Sequence, residues 1–238
     1  MWQVIGASVA GTAHQAAGRE CEDACGWRAA PGLTCLAVAD GAGSRPMSRH
    51  GAARAVESSL LACAEGSRDE DPAAWLRLIF AAAREQITAR ALADGKDAGD
   101  YATTLAVAVL TGAAVAVGQI GDTIAVAGRA GKYETLTPAP RAEYVNETAF
   151  LTGPDALDAL RITVTPAAQA DTLFLATDGL RFKILDDLAT AAPFTPFFDD
   201  LAAFARSAQA SDDAVRAFLA ALDDQSGDDK TLVAAVRA

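Results

Sequence analysis

The sequence predicts an α+β fold, and three features predict it. Apolar runs of strand length recur along the chain and end abruptly in Asp-Gly or Gly-Asp. The stretch 102–137 falls into short apolar segments separated by turn residues, the pattern of an antiparallel meander. Two segments between residues 46 and 87 carry apolar residues at helical spacing. With 238 residues, 51% hydrophobic and only 6% aromatic, the chain can bury a sizeable core built mainly from Ala, Leu and Val. No internal repeat, low-complexity tract or break in composition divides it, so one domain over residues 1–238 is expected.

Taken in order, residues 2–10 read as a first strand, followed by a polar, Gly-containing loop over 11–25 that holds His14, Arg19, Glu22 and Asp23. Residues 26–30 and 33–39 flank Pro31-Gly32 and make a hairpin. A helix beginning near Pro46 places Ala53, Val56, Leu60 and Cys63 on one face. After a polar break at 65–70, Asp71-Pro72 supplies an N-cap and a first-turn proline for a second helix. Its apolar stripe is Leu76, Ile79, Phe80, Ala83 and Ile87. Residues 94–100 form a polar linker. Strands over 102–110, 114–120, 123–127 and 132–137 make the meander, and 138–146 is irregular. Further strands occupy 161–164 and 172–176. The chain then reads as mostly helical from 179 to 224, broken at Pro193 and Pro196, with Val215, Phe218, Leu219 and Leu222 on one face of 212–222. A last strand covers 231–236.

Composition excludes several classes of function. A formal charge of −11 is wrong for a nucleic-acid partner, which needs phosphate-neutralising Lys and Arg, and it leaves divalent cations as natural ligands. The apolar segment 102–128 is punctuated by Gly112, Gln119, Gly121 and Asp122, which argues for short strands and against a membrane span. No basic region precedes an apolar one at the N-terminus, so no signal peptide is expected. Cys21, Cys25, Cys35 and Cys63 form no C-x-x-C pair; free thiols in a reducing cytoplasm are expected, and a zinc site is not.

Chemistry enters where the strands end. Thr34–Ser44 is an apolar run that delivers Asp40 from a core edge to its surface, with Gly41 after it. The same arrangement recurs at Asp178-Gly179, and acidic residues also punctuate strands at Gly121-Asp122 and Asp228-Asp229. Glu22-Asp23 adds a pair in the early loop. One Asp-Gly alone is an ordinary turn. Brought together at the ends of two packed sheets, these side chains would form an all-oxygen cluster whose mutual repulsion a cation relieves, suited to Mg²⁺ or Mn²⁺.

In that order, the motifs resemble the metal-dependent serine/threonine protein phosphatases of type 2C, the PPM family, in a compact bacterial form. The resemblance runs through Gly11-Thr12-Ala13-His14, Cys21-Glu22-Asp23-Ala24, Val38-Ala39-Asp40-Gly41-Ala42-Gly43-Ser44, Tyr101-Ala102-Thr103-Thr104-Leu105, Ile120-Gly121-Asp122, Ala176-Thr177-Asp178-Gly179 and Asp228-Asp229-Lys230-Thr231-Leu232. It implies two packed antiparallel sheets with helices on both outer faces. It implies two Mn²⁺ or Mg²⁺ ions bridged by Asp40, with the Gly41 carbonyl on one and Asp178 and Asp229 on the other. Glu22 and Asp23 act directly or through water, and Asp122 helps to hold a weaker third ion. The implied activity is hydrolysis of phosphoserine and phosphothreonine in the protein substrates of a cognate kinase, by a metal-bound hydroxide. No nucleic-acid or membrane partner is implied.

Two positions depart from the family pattern. Ala42 stands where many members carry a histidine that protonates the leaving group; His14 and His50 are the chain's two histidines, and His14 lies in the early acidic loop. Arg19 lies one residue closer to the acidic pair than the family's phosphate-binding arginine. Asp40, Arg19 and His14 are therefore the candidate catalytic residues. Ala42 also keeps open a catalytically inactive, phosphatase-like binding or regulatory module.

Overall fold

The computed structural model describes residues 1–66, 71–136, 148–223 and 225–237. Its strands are β1 (Trp2–Val9), β2 (Ala24–Ala30), β3 (Leu33–Ala39), β4 (Leu105–Thr111), β5 (Ala114–Ile120), β6 (Ile124–Arg129), β7 (Lys132–Thr135), β8 (Arg161–Pro166), β9 (Thr172–Ala176), β10 (Leu185–Asp187), β11 (Ala192–Pro193) and β12 (Lys230–Arg237). The α-helices are α1 (Thr12–Ala16), α2 (Ser48–Glu65), α3 (Pro72–Ala93), α4 (Arg181–Ile184), α5 (Thr195–Ala205) and α6 (Asp212–Ala221). Two five-stranded sheets form, in the orders β1-β12-β9-β6-β7 and β2-β3-β4-β5-β8, with every pairing antiparallel.

Strand alternation explains why the central strands are apolar throughout. On β3, Leu33, Cys35, Ala37 and Ala39 pack with α2 and α3, while Leu36 and Val38 point to the opposite sheet. On β12, Leu232, Ala234 and Val236 pack with α5 and α6, while Val233 and Ala235 point inward. A strand covered on both faces reads as a continuous apolar run. Full burial of each Val or Leu side chain contributes roughly 1.5–3 kcal/mol. The result is the helix–sheet–sheet–helix layering that the resemblance implied.

The meander expected over 102–137 is cut in two. β4 pairs with β5 and β6 with β7, but β5 and β6 belong to different sheets. The buried Gln119 amide holds the corner between them by donating to the carbonyls of Gly121 (3.1 Å) and Thr123 (2.5 Å). Gly121-Asp122 is thus a crossing between layers, not a hairpin turn.

Local expectations were corrected elsewhere. The loop over 11–25 contains α1 and gives its last two residues to β2. Ala53 faces solvent, and the buried face of α2 runs instead through Ala52, Ala55, Val56, Ser59, Leu60 and Cys63. The stripe Leu76, Ile79, Phe80, Ala83 and Ile87 is buried, and Asp71 caps α3 by accepting from the Ala74 N–H at 3.0 Å. Pro193 lies in the small β10–β11 hairpin, and Pro196 starts α5, where its missing N–H costs nothing. The irregular stretch 138–146 falls outside the described residues. Cys35 and Cys63 are not free: they form a disulfide, because β3 alternation turns Cys35 outward onto α2. Cys21 and Cys25 are the free cysteines. No helix among the described residues is long and apolar enough to cross a membrane.

Candidate metal centre

The acidic positions collect because β3, β5 and β9 end, and β6 and β12 begin, beside one another. β3 ends at Ala39 and is followed by Asp40, whose N–H donates to Thr104 Oγ1 at 3.0 Å. The Asp40 carbonyl accepts from the Thr104 N–H and the Thr103 hydroxyl, each at 2.9 Å, and Ala42 N–H donates to the Ala102 carbonyl at 3.0 Å. The segment Ala102–Thr104 therefore fixes the Asp40 turn from the side. Glycine is obligatory after both aspartates. A Cβ on Gly41 would sit 2.7 Å from the Glu22 carbonyl oxygen, and one on Gly179 would sit 1.9 Å from that of Asp229. These close approaches draw the early loop to Asp40 and the β12 entry to Asp178.

Asp23 is 8% exposed and its Oδ2 accepts from the hydroxyls of Thr177 and Thr231, each at 2.8 Å. Glu22, equally buried, pairs through Oε1 with Arg19, and its Oε2 accepts from Ser48 Oγ at 2.8 Å. Arg19 also donates to the Gly43 carbonyl at 2.8 Å, so its guanidinium is held over the loop that follows Asp40. Asp122 is exposed at the layer crossing and accepts from Thr148 Oγ1 at 3.2 Å. Asp178 has Arg181 Nη1 3.6 Å from its Oδ2.

The two members of the Asp228-Asp229 pair differ in setting. Asp229 is 2% exposed, and both of its oxygens are engaged by the early loop. Oδ1 accepts from Gly11 N–H at 2.8 Å and lies 2.8 Å from His14 Nδ1, while Oδ2 accepts from Glu22 N–H at 2.6 Å. Asp228 is exposed, and its charge bears on both Asp40 and Asp178. The family resemblance implies a ligand role for Asp229; the structure buries Asp229 against the early loop and leaves Asp228 exposed. β12 starts at the buried Lys230, so both aspartates lie just before the strand.

Electrostatics tie the group together. Burial first, then the charges of Asp23, Asp178, Asp228 and Asp122, push the Asp40 carboxyl up to about 10. Burial raises Asp23 to about 8 against the pull of the Thr231 and Thr177 hydroxyls, with Asp229 and Asp228 adding to the rise. Asp178 rises to about 6 through burial and the charges of Asp122 and Asp228, opposed by Arg181 and by a hydrogen bond with Asp40. These are oxygen donors whose ionisation is opposed by burial and mutual repulsion, an opposition that a hard divalent cation such as Mg²⁺ or Mn²⁺ would relieve. As they stand, no three His, Cys, Asp or Glu side chains among the described residues close on one point as a ready ligand set.

The comparison that decides the family is with the sequence profile of Protein phosphatase 2C, which matches residues 10–221. The chain belongs to the protein phosphatase 2C family. Serine/threonine-protein phosphatase 3 of Escherichia coli (strain K12) is 30% identical to this phosphatase over 251 residues, covering 99% of the chain and 98% of that relative. Among solved structures, serine/threonine phosphatase Stp1 from Staphylococcus aureus has a TM-score of 0.71 at 16% identity, covering 100% of this chain and 96% of its own. PppA of Pseudomonas aeruginosa has a TM-score of 0.67 at 22% identity, covering 99% and 97%. At those identities the solved structures speak for the fold.

His14 and Arg19 both approach the segment that follows Asp40. A Cβ on Gly43 would lie 3.7 Å from His14 Nε2 and 4.0 Å from Arg19 Nη2. The α1 loop thus brings an imidazole to the segment where Ala42 lacks one. His50 lies exposed on α2.

Proposed function

We propose that this phosphatase removes phosphate from phosphoserine and phosphothreonine residues of proteins, using two Mn²⁺ or Mg²⁺ ions held within a single domain over residues 1–238. The observation that carries this reading is the group of carboxylates gathered at the strand ends, from the buried Asp23 to the exposed Asp122 and Asp228, whose charges bear on Asp40. Asp40, the Gly41 carbonyl, Asp178 and Asp228 would hold the ions. Glu22 and Asp23 would act through water. Asp229, to which the family resemblance assigns a ligand role, would instead organise the loop 11–22 through its contacts with Gly11, His14 and Glu22.

When bound, the ions supply positive charge against the phosphoryl oxygens and acidify a water, so that hydroxide is present near neutral pH. Arg19, fixed by Glu22 and the Gly43 carbonyl, orients the phosphoryl group at the mouth of the site. His14 Nε2 gives its proton to the departing seryl or threonyl oxygen, with Asp229 holding the ring at Nδ1. No side chain is required as a nucleophile, so no phosphoenzyme forms.

Phosphate release from phosphoserine, phosphothreonine and phosphotyrosine peptides in Mn²⁺ tests the proposal. Hydrolysis of the first two, with little of the third, is expected. His14→Ala should lose roughly a hundredfold on a phosphoserine peptide and much less on p-nitrophenyl phosphate, whose leaving group needs no proton. No release from any phosphopeptide, with intact binding, would favour the non-catalytic module that Ala42 suggests.

Asp122 would contribute to a third, weaker ion. It stands exposed and meets Thr148, so its ion would keep most of its waters. Asp122→Ala should leave tight Mn²⁺ binding intact in calorimetry, lower the activity and flatten its response to high Mn²⁺. An unchanged metal response in Asp122→Ala would reduce Asp122 to a residue of the layer crossing.

A further inference from the structure

We propose that the apolar groove between α5 and α6 is a docking site for a basic amphipathic helix of a partner protein. The groove has a volume of about 540 Å³ and lies on the outer face of the β1-containing sheet. Phe194, Phe197, Phe204 and Phe218 line it, four of the nine phenylalanines in the chain. Phe194 is 41% and Phe218 43% exposed, whereas their neighbours Phe198 and Leu219 are fully buried. Large aromatic side chains left open beside one another mark an interaction surface. A groove between two helices accepts the apolar face of a third.

Charge selects the occupant. Residues 194–223 contain five acidic side chains and two basic ones. Asp200 lies in the groove wall, and the exposed Asp213 and Asp223 adjoin the lining residues Ala214 and Leu222. The two arginines face elsewhere: Arg206 reaches Asp171 at 3.5 Å, and Arg216 donates to the Ser8 carbonyl at 3.3 Å. The apolar floor therefore has an acidic rim on which acidic side chains outnumber basic ones, the nearby Lys230 being buried with its ammonium on the Leu222 carbonyl, and that rim matches Lys or Arg on the polar face of an incoming helix. A second copy of this chain would bring two acidic rims together, each on a molecule of charge −11. An anionic membrane is disfavoured for the same reason.

The groove is also joined to the candidate metal centre. Leu222, which lines it, accepts through its carbonyl from Lys230 Nζ at 3.3 Å. The chain from Leu222 runs on to Asp228, whose N–H donates to Ser226 Oγ at 3.2 Å.

A labelled Leu/Lys amphipathic helical peptide, titrated into the full chain by fluorescence anisotropy, tests the proposal. It should bind, with affinity falling as salt rises. Phe218→Ser should weaken it by about thirtyfold, the usual effect of truncating a central aromatic anchor. Asp200→Lys should weaken it and reduce the salt dependence. Both side chains are exposed, so thermal midpoints and p-nitrophenyl phosphate turnover should match the parent protein; Phe194→Ser serves if Phe218→Ser fails to fold. Equal binding of a scrambled Leu/Lys peptide or a Leu/Glu helix would overturn the proposal, as would parental affinity in Phe218→Ser. Self-association of the parent protein that Phe218→Ser abolishes would assign the groove to a second copy and overturn it equally.

Discussion

Asp40→Asn is expected to lower turnover by at least about a hundredfold while leaving the fold intact, the scale of losing one essential electrostatic group. The substitution keeps size and backbone bonding: the Asp40 N–H still meets Thr104, and its carbonyl still accepts from Thr103 and Thr104. Only the charge goes. In the metal-free protein burial and the charges of Asp23, Asp178, Asp228 and Asp122 push the Asp40 carboxyl up to about 10, which costs stability above the ordinary carboxylate range, and Asn removes that cost. The thermal midpoint without metal should therefore be unchanged or higher, whereas the rise produced by Mn²⁺ in the parent should shrink or vanish. Circular dichroism reports the fold and a phosphopeptide assay the turnover. Parental kcat in a well-folded Asp40→Asn protein would remove Asp40 from the bridging position.

The second large effect separates the neighbours Asp228 and Asp229. Asp229→Ala removes the acceptor for the Gly11 and Glu22 N–H groups and the partner of His14. Leaving each buried donor unpaired costs roughly 1–3 kcal/mol. In a chain of this size, that is a fall in thermal midpoint on the order of 10 °C. Asp228→Asn should do the reverse. Its side-chain oxygen can still accept from the Asp229 N–H, so the metal-free midpoint should hold. Mn²⁺ affinity should nevertheless fall at least about tenfold, as expected when one anionic ligand of a hard cation is neutralised. Calorimetry and thermal melts of the two variants, side by side, read both quantities. A stable Asp229→Ala protein without metal affinity, beside Asp228→Asn with parental affinity, would exchange the two roles.

Much of this architecture was legible in the sequence because it depends on local rules. The Asp71-Pro72 start of α3, its stripe from Leu76 to Ile87, and the hairpin at Pro31-Gly32 follow from capping, periodicity and turn chemistry. The end of β3 at Asp40 was legible for the same reason: an apolar run stops at a carboxylate and a glycine. Features that depend on distant packing were not. The layer crossing at Gly121-Asp122 is set by which sheet β6 joins, and the Cys35–Cys63 disulfide by which face of β3 meets α2. Asp229 shows the limit within the site itself. Two adjacent aspartates look alike in sequence, and only the positions of Gly11, His14 and Glu22, more than 200 residues away in the chain, distinguish the buried organiser from the exposed carboxylate.

The central claim is that the carboxylates around Asp40 work by holding divalent ions. It is tested most directly by phosphoserine-peptide hydrolysis in chelator-treated protein, before and after return of Mn²⁺ or Mg²⁺. The account predicts no measurable turnover in the metal-free protein and recovery on addition of either ion, with Ca²⁺ restoring little. Full turnover in the chelated, metal-free protein would contradict it.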